Sequence, residues 1–535
     1  DPAFSRWTQG YQAAGVALGD YDRDGDLDVF LACLGRDLLL ENQGDGTFVD
    51  VTDSAGVAGP DDISPGALWV DVNNDGLLDL VVYDFVDLTY EATNSGPLSP
   101  LASNRLYLNR GDGTFSDETN AANLVTPGAT HTVAAADADG DGKLELYVAH
   151  DTMSVDGEVR NPKLPRDELW TYQDTNAGVP SYQNVADSVG IEANRSSMGI
   201  EFLDVDRDGR LDIYFSDFGG NDLYIWDQAA QAYVNRAVDY DIDAAHAPSG
   251  RSAVSWGVLG LDVDRDGKLE MLIVNGSVAG SGAQQISYYE QAEPAGRFGR
   301  KADAAGLNDV PDPTDIAAAR GAYRGDLDGD SDEDIVLGIQ SGRFRLFENR
   351  SDRQGQCLRL RLTGTVSAPD PVGSKVTLTL TDGSKITTQR TAGGQPYGQS
   401  DSVMELVIGD RKPSELTVEW PSGFVQRLEA PALAAKELWV REPSWLTVTP
   451  RSFGPGSAAR LTYVAVDASG QELGVQGSGR LVTVERSDGV PAPVTDLGDG
   501  SYTASFPHPG APGTVTLKLS VDGTPMAIRP LLFFR

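Results

Sequence analysis

The chain has 535 residues and a formal net charge of −38, from 80 acidic against 42 basic side chains. That length supports several cores, and the charge argues against nucleic acid and anionic membrane surfaces as partners. No run of about 18 apolar residues occurs, so no membrane-spanning helix is expected, and a numbering that opens at Asp1 rather than Met suggests a processed or trimmed N-terminus.

The first predicted elements are four strands: Ala14 to Leu18, Asp28 to Leu34, Asp37 to Asn42 and Gly46 to Val51. An acidic loop joins the first two, with Asp20, Asp22, Asp24, Gly25, Asp26 and Asp28 in the pattern D-x-D-x-D-G-x-x-D. A Gly-Asp-Gly turn joins the last two, a hairpin signal that returns almost letter for letter in Leu106 to Phe115. The acidic pattern itself returns five times. The second copy carries Asp71, Asn73, Asp75, Leu77 and Asp79, and the third Asp137, Asp139, Asp141, Lys143 and Glu145. The fourth carries Asp204, Asp206, Asp208, Arg210 and Asp212, and the fifth Asp262, Asp264, Asp266, Lys268 and Glu270. The sixth carries Asp326, Asp328, Asp330, Asp332 and Asp334. Runs such as Leu80-Val81-Val82 and Ile335-Val336-Leu337 leave the loops as strands.

Calcium takes six to eight oxygen ligands and favours carboxylates on tight turns. Alternate loop positions converge, the position-six Gly permits the turn, and position seven offers its backbone carbonyl, so its side chain is free to vary. Position nine supplies the last acid. The spacing copies the front of an EF-hand loop without its position-twelve Glu. Carboxylates this close repel strongly unless a cation joins them. Up to six Ca2+ ions are therefore expected, offsetting about 12 of the negative charges. Asn73 removes one charge from the second loop, and Ser331 replaces the Gly of the sixth, so these two are expected to be the weakest sites.

Copies recur roughly every 50–67 residues, the spacing of propeller blades. With four strands per blade this predicts an all-β chain opening on a six-bladed β-propeller, seven blades being the alternative. The repeats resemble the FG-GAP or VCBS repeats of integrin alpha-subunit propellers and their bacterial relatives, and the resemblance assigns calcium to the loop residues named above. Residues 356–442 change to alternating strands, Leu358 to Leu362, Lys375 to Leu380 and Leu416 to Trp420. Val372 to Val376, Gly393-Gly394 through Gln399-Ser400, and Val418 to Gly423 look like the ASPIC/UnbV domain that follows such repeats in cartilage acidic protein-type chains. Ile408-Gly409 departs from the Gly-Leu-Gly frequent there. Residues 443–535 have sandwich-like strand spacing, and Asp499-Gly500 before Tyr502 is similar to filamin-type or other immunoglobulin-like domains. The expected domains are thus 1–355, 356–442 and 443–535.

Long insertions at Tyr83 to Ser103 and His150 to Arg166 follow second strands, so they are expected on the face opposite the acidic loops. Tyr83, Phe85, Tyr90, Glu91, His150, Asp151, Arg160, Lys163 and Arg166 are the candidate surface there for a protein or glycan ligand. Arg110-Gly111-Asp112 and Arg324-Gly325-Asp326 read as a hairpin turn and a loop start rather than adhesion ligands. The histidines His131, His150, His246 and His508 make no metal spacing, and no nucleophile elbow stands out. Cys33 and Cys357 are two buried thiols or a pair linking the first repeat to the end of the sixth. The favoured function is a calcium-stabilised adhesion or ligand-binding protein, secreted, at the cell surface or periplasmic, without catalysis and compatible with homo-oligomerisation. A polysaccharide lyase or hydrolase is the alternative, although no carboxylate pair at the required separation is identifiable. A structural subunit of a surface layer or filament is the third reading.

Overall fold

Each acidic loop begins on the residue after one strand and ends on the first residue of the next. Gly15–Gly19 leads into Asp20, and Asp28–Ala32 starts on the ninth loop position. The same holds where Gly66–Val70, Thr130–Ala136, Ser197–Leu203, Ser255–Leu261 and Ala319–Gly325 meet their partners. The last residue of each lead strand pairs with the ninth loop residue: Gly19 with Asp28, Val70 with Asp79, Ala136 with Glu145, Leu203 with Asp212, Leu261 with Glu270 and Gly325 with Asp334. The computed structural model describes residues 15–60, 62–85, 103–126, 128–151, 166–173, 179–191, 196–243, 254–276, 285–292, 296–301, 306–308, 318–340, 343–351, 355–430, 433, 437–449, 451–453, 455, 457–509, 513–526, 528 and 530–534.

Among the described residues six antiparallel meanders follow one another, the first five of four strands and the sixth of three, Ala319–Gly325, Asp334–Ile339 and Arg343–Phe347. The arrangement is all-β and propeller-like, with the apolar core strung between consecutive sheets. Phe30, Leu39, Trp69 and Tyr107 join the first sheet to the second, and Val81, Leu106, Val133 and Val148 the second to the third. Tyr147 and Phe215 join third to fourth, Tyr214 and Met271 fourth to fifth, and Leu272 and Leu337 fifth to sixth. Strands covered on both faces carry apolar runs, as Val133 to Ala136 and Trp256 to Leu261 do in the fully buried Thr130–Ala136 and Ser255–Leu261. The first lead strand instead alternates, leaving Val16 and Leu18 exposed.

Two sheets with one core follow. Gln356–Thr363 lies between Met404–Gly409 and Glu437–Arg441, and Lys375–Leu380 between Lys385–Gln389 and Pro413–Glu419. The last residues form a β-sandwich around Trp445, Leu461, Tyr502, Phe506 and Leu517, in which the buried Tyr502 hydroxyl donates to the Gly477 carbonyl at 2.9 Å.

A loop of the middle unit enters the propeller-like part. Ala392–Gly393 pairs with Ala134 and Ala135 of the third lead strand. Gly394 accepts from Ile200 N of the fourth at 2.7 Å. The buried Gln395 receives Val258 N of the fifth on Oε1 and donates to the Val258 carbonyl. Tyr397 accepts from Val16 N of the first at 3.3 Å, and Asp401 N donates to Arg324 of the sixth at 3.0 Å. Residues 397–401 therefore stand between the first and sixth lead strands, where among the described residues no shared apolar cluster joins those two sheets. Gly393 and Gly394 have φ of +75° and +85°, and a Cβ on Gly394 would lie 2.4 Å from the Ile200 carbonyl oxygen.

Gly394→Ala therefore combines a left-handed backbone with a backbone clash, and a loss of about 2–4 kcal/mol is expected. Gly383→Ala shares the positive φ, +86°, but has nothing within 4 Å of its Cβ. Thermal melting of the two variants checks this: Gly394→Ala should melt several degrees below Gly383→Ala, and equal midpoints would refute the placement of the loop.

Candidate functional site

The acidic loops share one hydrogen-bond plan. The ninth-position carboxylate accepts the N–H of position two in all six: Tyr21 onto Asp28 at 3.2 Å, Val72 onto Asp79 at 3.1 Å, Ala138 onto Glu145 at 2.9 Å, Val205 onto Asp212 at 2.9 Å, Val263 onto Glu270 at 2.8 Å and Leu327 onto Asp334 at 2.9 Å. The acids at positions three and five cap the N–H two residues on, as in Asp24 N to Asp22 Oδ1 and Asp26 N to Asp24 Oδ1. Position seven spends its N–H on this capping, and its side chain takes different partners from loop to loop: Lys143 lies over Tyr172 and returns to Asp141, Lys268 returns to Asp266, and Arg210 lies over Trp226. This explains its chemical variety.

The first acid separates the loops. In the third, fourth and fifth, Oδ2 of Asp137, Asp204 and Asp262 accepts the N–H of the position-six Gly at 3.0 Å. The other oxygen, Oδ1 of Asp137, Asp204 and Asp262, is buried and has no hydrogen-bond partner, and the same is true of Asp20 Oδ1 in the first loop. In the second loop Asp71 spends both oxygens, on Asp75 N at 3.0 Å and Gly76 N at 2.7 Å. In the sixth, Asp326 accepts from Gly329 N at 2.8 Å on Oδ1 and from Ser331 N at 3.1 Å on Oδ2. Ser331 holds a φ of +77°, the strain expected where Gly is missing.

Carboxylate oxygens lie within 4.8 Å of one another in Asp20, Asp22 and Asp28; in Asp137, Asp139 and Glu145; in Asp204, Asp206 and Asp212; in Asp262, Asp264, Asp266 and Glu270; and in Asp326, Asp328 and Asp334. The second loop forms no such group. Burial, reinforced by neighbouring carboxylates, pushes these acids up: Asp137 and Asp204 to about 6, Asp28 and Asp262 to about 7, Asp212 and Glu270 to about 8 and Glu145 to about 9. A bare buried oxygen beside crowded acids that resist ionisation is a donor set suited to a hard cation.

Two recurring features escaped the sequence reading. Position four is left-handed in every loop, with φ of 67° at Arg23, 54° at Asn74, 79° at Gly140, 60° at Arg207, 58° at Arg265 and 81° at Gly329. Three of these side chains reach the next loop's position-six carbonyl: Arg23 to Gly76 at 2.8 Å, Arg207 to Gly267 at 3.0 Å, and Arg265 to Ser331. The repeated Arg-Asp-Gly of these loops was the available signal. The second feature is an Asn closing three third strands. Asn42, Asn109 and Asn349 each give their N–H at 2.9 Å to the other oxygen of Asp28, Asp79 and Asp334.

The expected surface opposite the loops is corrected. Tyr83, Phe85, His150 and Asp151 are buried, because the strand ends carrying them reach the centre of the sheet array. His150 faces Thr130 and Glu168, and Asp151 lies 3.5 Å from His131. Arg166 is exposed beside Asp187 at 3.6 Å. Tyr90, Glu91, Arg160 and Lys163 lie outside the described residues. Asp112 caps Thr114 inside its hairpin, as Asp45 caps Thr47. Cys33 and Cys357 are free thiols rather than a disulfide. On the acidic-loop side, a cleft of about 920 Å³ opens between the third to fifth loops and the middle unit, lined by Lys143, Arg210, Lys268, Lys375, Arg390 and Trp420 among others.

The FG-GAP-like repeat family matches residues 20–82 and 92–148, the ASPIC and UnbV family residues 364–444, and the invasin domain 3 family residues 443–529. Over 216 residues the chain is 30% identical to cartilage acidic protein 1 of Mus musculus, covering 40% of this chain and 29% of that one. Over 260 residues it is 25% identical to cartilage acidic protein 1 of Xenopus tropicalis, covering 47% of this chain and 38% of that one. These matches thus span well under half the length of those curated relatives. Among solved structures, an Agrocybe aegerita lectin studied for recognition of non-reducing terminal N-acetylglucosamine aligns with a TM-score of 0.35 and 15% identity, over 64% of this chain and 81% of that one. That likeness is too loose to bear on function. The chain joins FG-GAP-like repeats, an ASPIC and UnbV segment and an immunoglobulin-like invasin domain 3 segment, in that order, and has homologues among the cartilage acidic proteins.

Proposed function

We propose that this chain is an extracellular, calcium-stabilised binding protein. Its six sheets are the blades of a β-propeller spanning residues 1–355, followed by units at 356–442 and 443–535. Calcium is structural and sits in the acidic loops. The observation that carries the reading is the buried, unbonded Oδ1 of Asp20, Asp137, Asp204 and Asp262. Each oxygen has lost water and gained no donor, an arrangement that is costly unless a cation completes it. When bound, the ion supplies the positive charge that lets the crowded acids ionise together. The chain's own N–H groups have already fixed the carboxylates in place.

The partner is a protein or glycan, and we place it in the cleft between the third to fifth loops and the middle unit, because Tyr83, Phe85, His150 and Asp151 of the opposite face are buried. Basic side chains there alternate with a larger number of carboxylates, a mixture of donors and acceptors suited to a hydroxyl-rich surface. The net charge of −38 disfavours nucleic acid. Among the described residues no helix is long and apolar enough to cross a membrane. The relatives carry the name of an extracellular tissue, which supports a location outside the cytosol.

Three outcomes test the proposal. A ligand that binds only the folded state stabilises it by about 2.7 kcal/mol per site at a hundredfold excess, so excess EDTA should lower the melting temperature markedly. An unchanged curve counts against calcium.

The pH dependence should reverse between the two conditions. Unfolded carboxylates ionise near pH 4, whereas the buried loop acids do so between about 6 and 9. Between those limits the cation-free folded chain holds more protons than the unfolded one, so its stability falls as pH rises from about 4 to 9. With calcium in excess the acids are ionised by the ion and stability should hold or rise over the same range. Melting temperatures across pH in EDTA and in calcium check this; parallel curves would contradict it.

Against a panel of acidic polysaccharides and matrix proteins, calcium-dependent retention without new reducing ends or fragments is expected. Cleavage products would favour the hydrolase or lyase reading.

A further inference from the structure

The second and sixth loops differ from the rest in what stands against them. In the third and fifth loops, basic partners of the acids come from the same turn, Lys143 on Asp141 and Lys268 on Asp266. The second loop is instead met by Arg451, which lies between Leu446–Thr449 and Ser452–Phe453 of the C-terminal sandwich. Its Nη1 donates to the Asp75 carbonyl and lies 3.5 Å from Asp75 Oδ1. Asp75 is fully buried, and a Cβ on Gly76 would fall 3.4 Å from Arg451 Nη2. The sixth loop is met by Arg359 of the middle unit, 4% exposed, whose Nη1 donates to Asp326 Oδ2 at 2.6 Å. These are the two loops whose first acid has no bare oxygen, and the two whose sequences depart from the pattern.

We propose that Arg451 and Arg359 are the resident cations of the second and sixth loops. These loops then serve as docking points for the C-terminal and middle units, and divalent ions enter only the first, third, fourth and fifth. The inference rests on the calcium reading above and narrows it. A guanidinium brings one positive charge with fixed, directional N–H donors and keeps its charge when buried. In the second loop Asn73 leaves three carboxylates, Asp71, Asp75 and Asp79, against four in each of the third, fourth and fifth, so this loop needs less positive charge than they do. The chelator-resistant joints and the chelator-sensitive turns are thereby separate sets.

Counting bound calcium on the full chain tests this, by elemental analysis after dialysis against buffered free Ca2+. Four ions per chain are expected. Any other non-zero count overturns the inference while leaving calcium binding intact, and zero overturns the calcium reading itself. Arg451→Gln, which removes the charge and keeps much of the length, should raise the count from four to five, and Arg451→Lys should leave it at four. A count still at four for Arg451→Gln, in a protein whose circular dichroism matches the parent, would also overturn it. The parent count stands as a test even where that variant fails to fold.

Discussion

The ninth-position carboxylate is the interaction on which each acidic turn depends. It sits at the first residue of a strand, pairs through its backbone with the last residue of the preceding strand, and receives the N–H that opens the loop. In the first, second and sixth copies it also takes the N–H of an Asn from the third strand. One acid therefore joins three strands of a sheet. Its cost is desolvation, seen in the upward displacement of Glu145, Asp212 and Glu270. Burying ionisable groups at every repeat is unfavourable by itself, and it makes the whole array dependent on whatever positive charge reaches the loops.

Positive charge arrives in different ways along the array. Arginines at position four tie one loop to the carbonyl of the next. Arginines from later units meet the acids directly at the second and sixth loops. In the remaining loops the first acid keeps a buried oxygen bare. The repeats look alike in sequence, yet the surroundings of each are set by which segment of the following chain passes over it.

Much of this was legible from residues alone. The all-β class, the placement of every acidic loop between the first two strands of a sheet, and the Gly-Asp-Gly hairpins follow from local patterns that repeat. The special character of the second and sixth loops was visible in Asn73 and Ser331. What was hidden depends on contacts between distant positions. Tyr83, Phe85, His150 and Asp151 look like loop residues because they follow strands, and only the packing of neighbouring sheets buries them. Gly393-Gly394 was legible only as part of an ASPIC/UnbV-like segment, yet both glycines lie against backbone carbonyls of other sheets. Position four was passed over because three different residue types occupy it, although all six share the same left-handed backbone.

The loop that runs from Ala392 to Asp401 also sets a timetable for assembly. Hydrogen bonds between Leu18 and Gln399 span 381 positions of chain. During synthesis the first sheet emerges long before its neighbour along that edge exists, so its flank must wait, wet and unpaired, while the intervening chain is made. Contacts of such separation slow folding, because the intervening chain must be closed before they give any return. Maturation of the N-terminal sheets is thus gated by the middle unit, and a nascent or truncated chain ending before residue 392 carries an exposed apolar edge prone to off-pathway association.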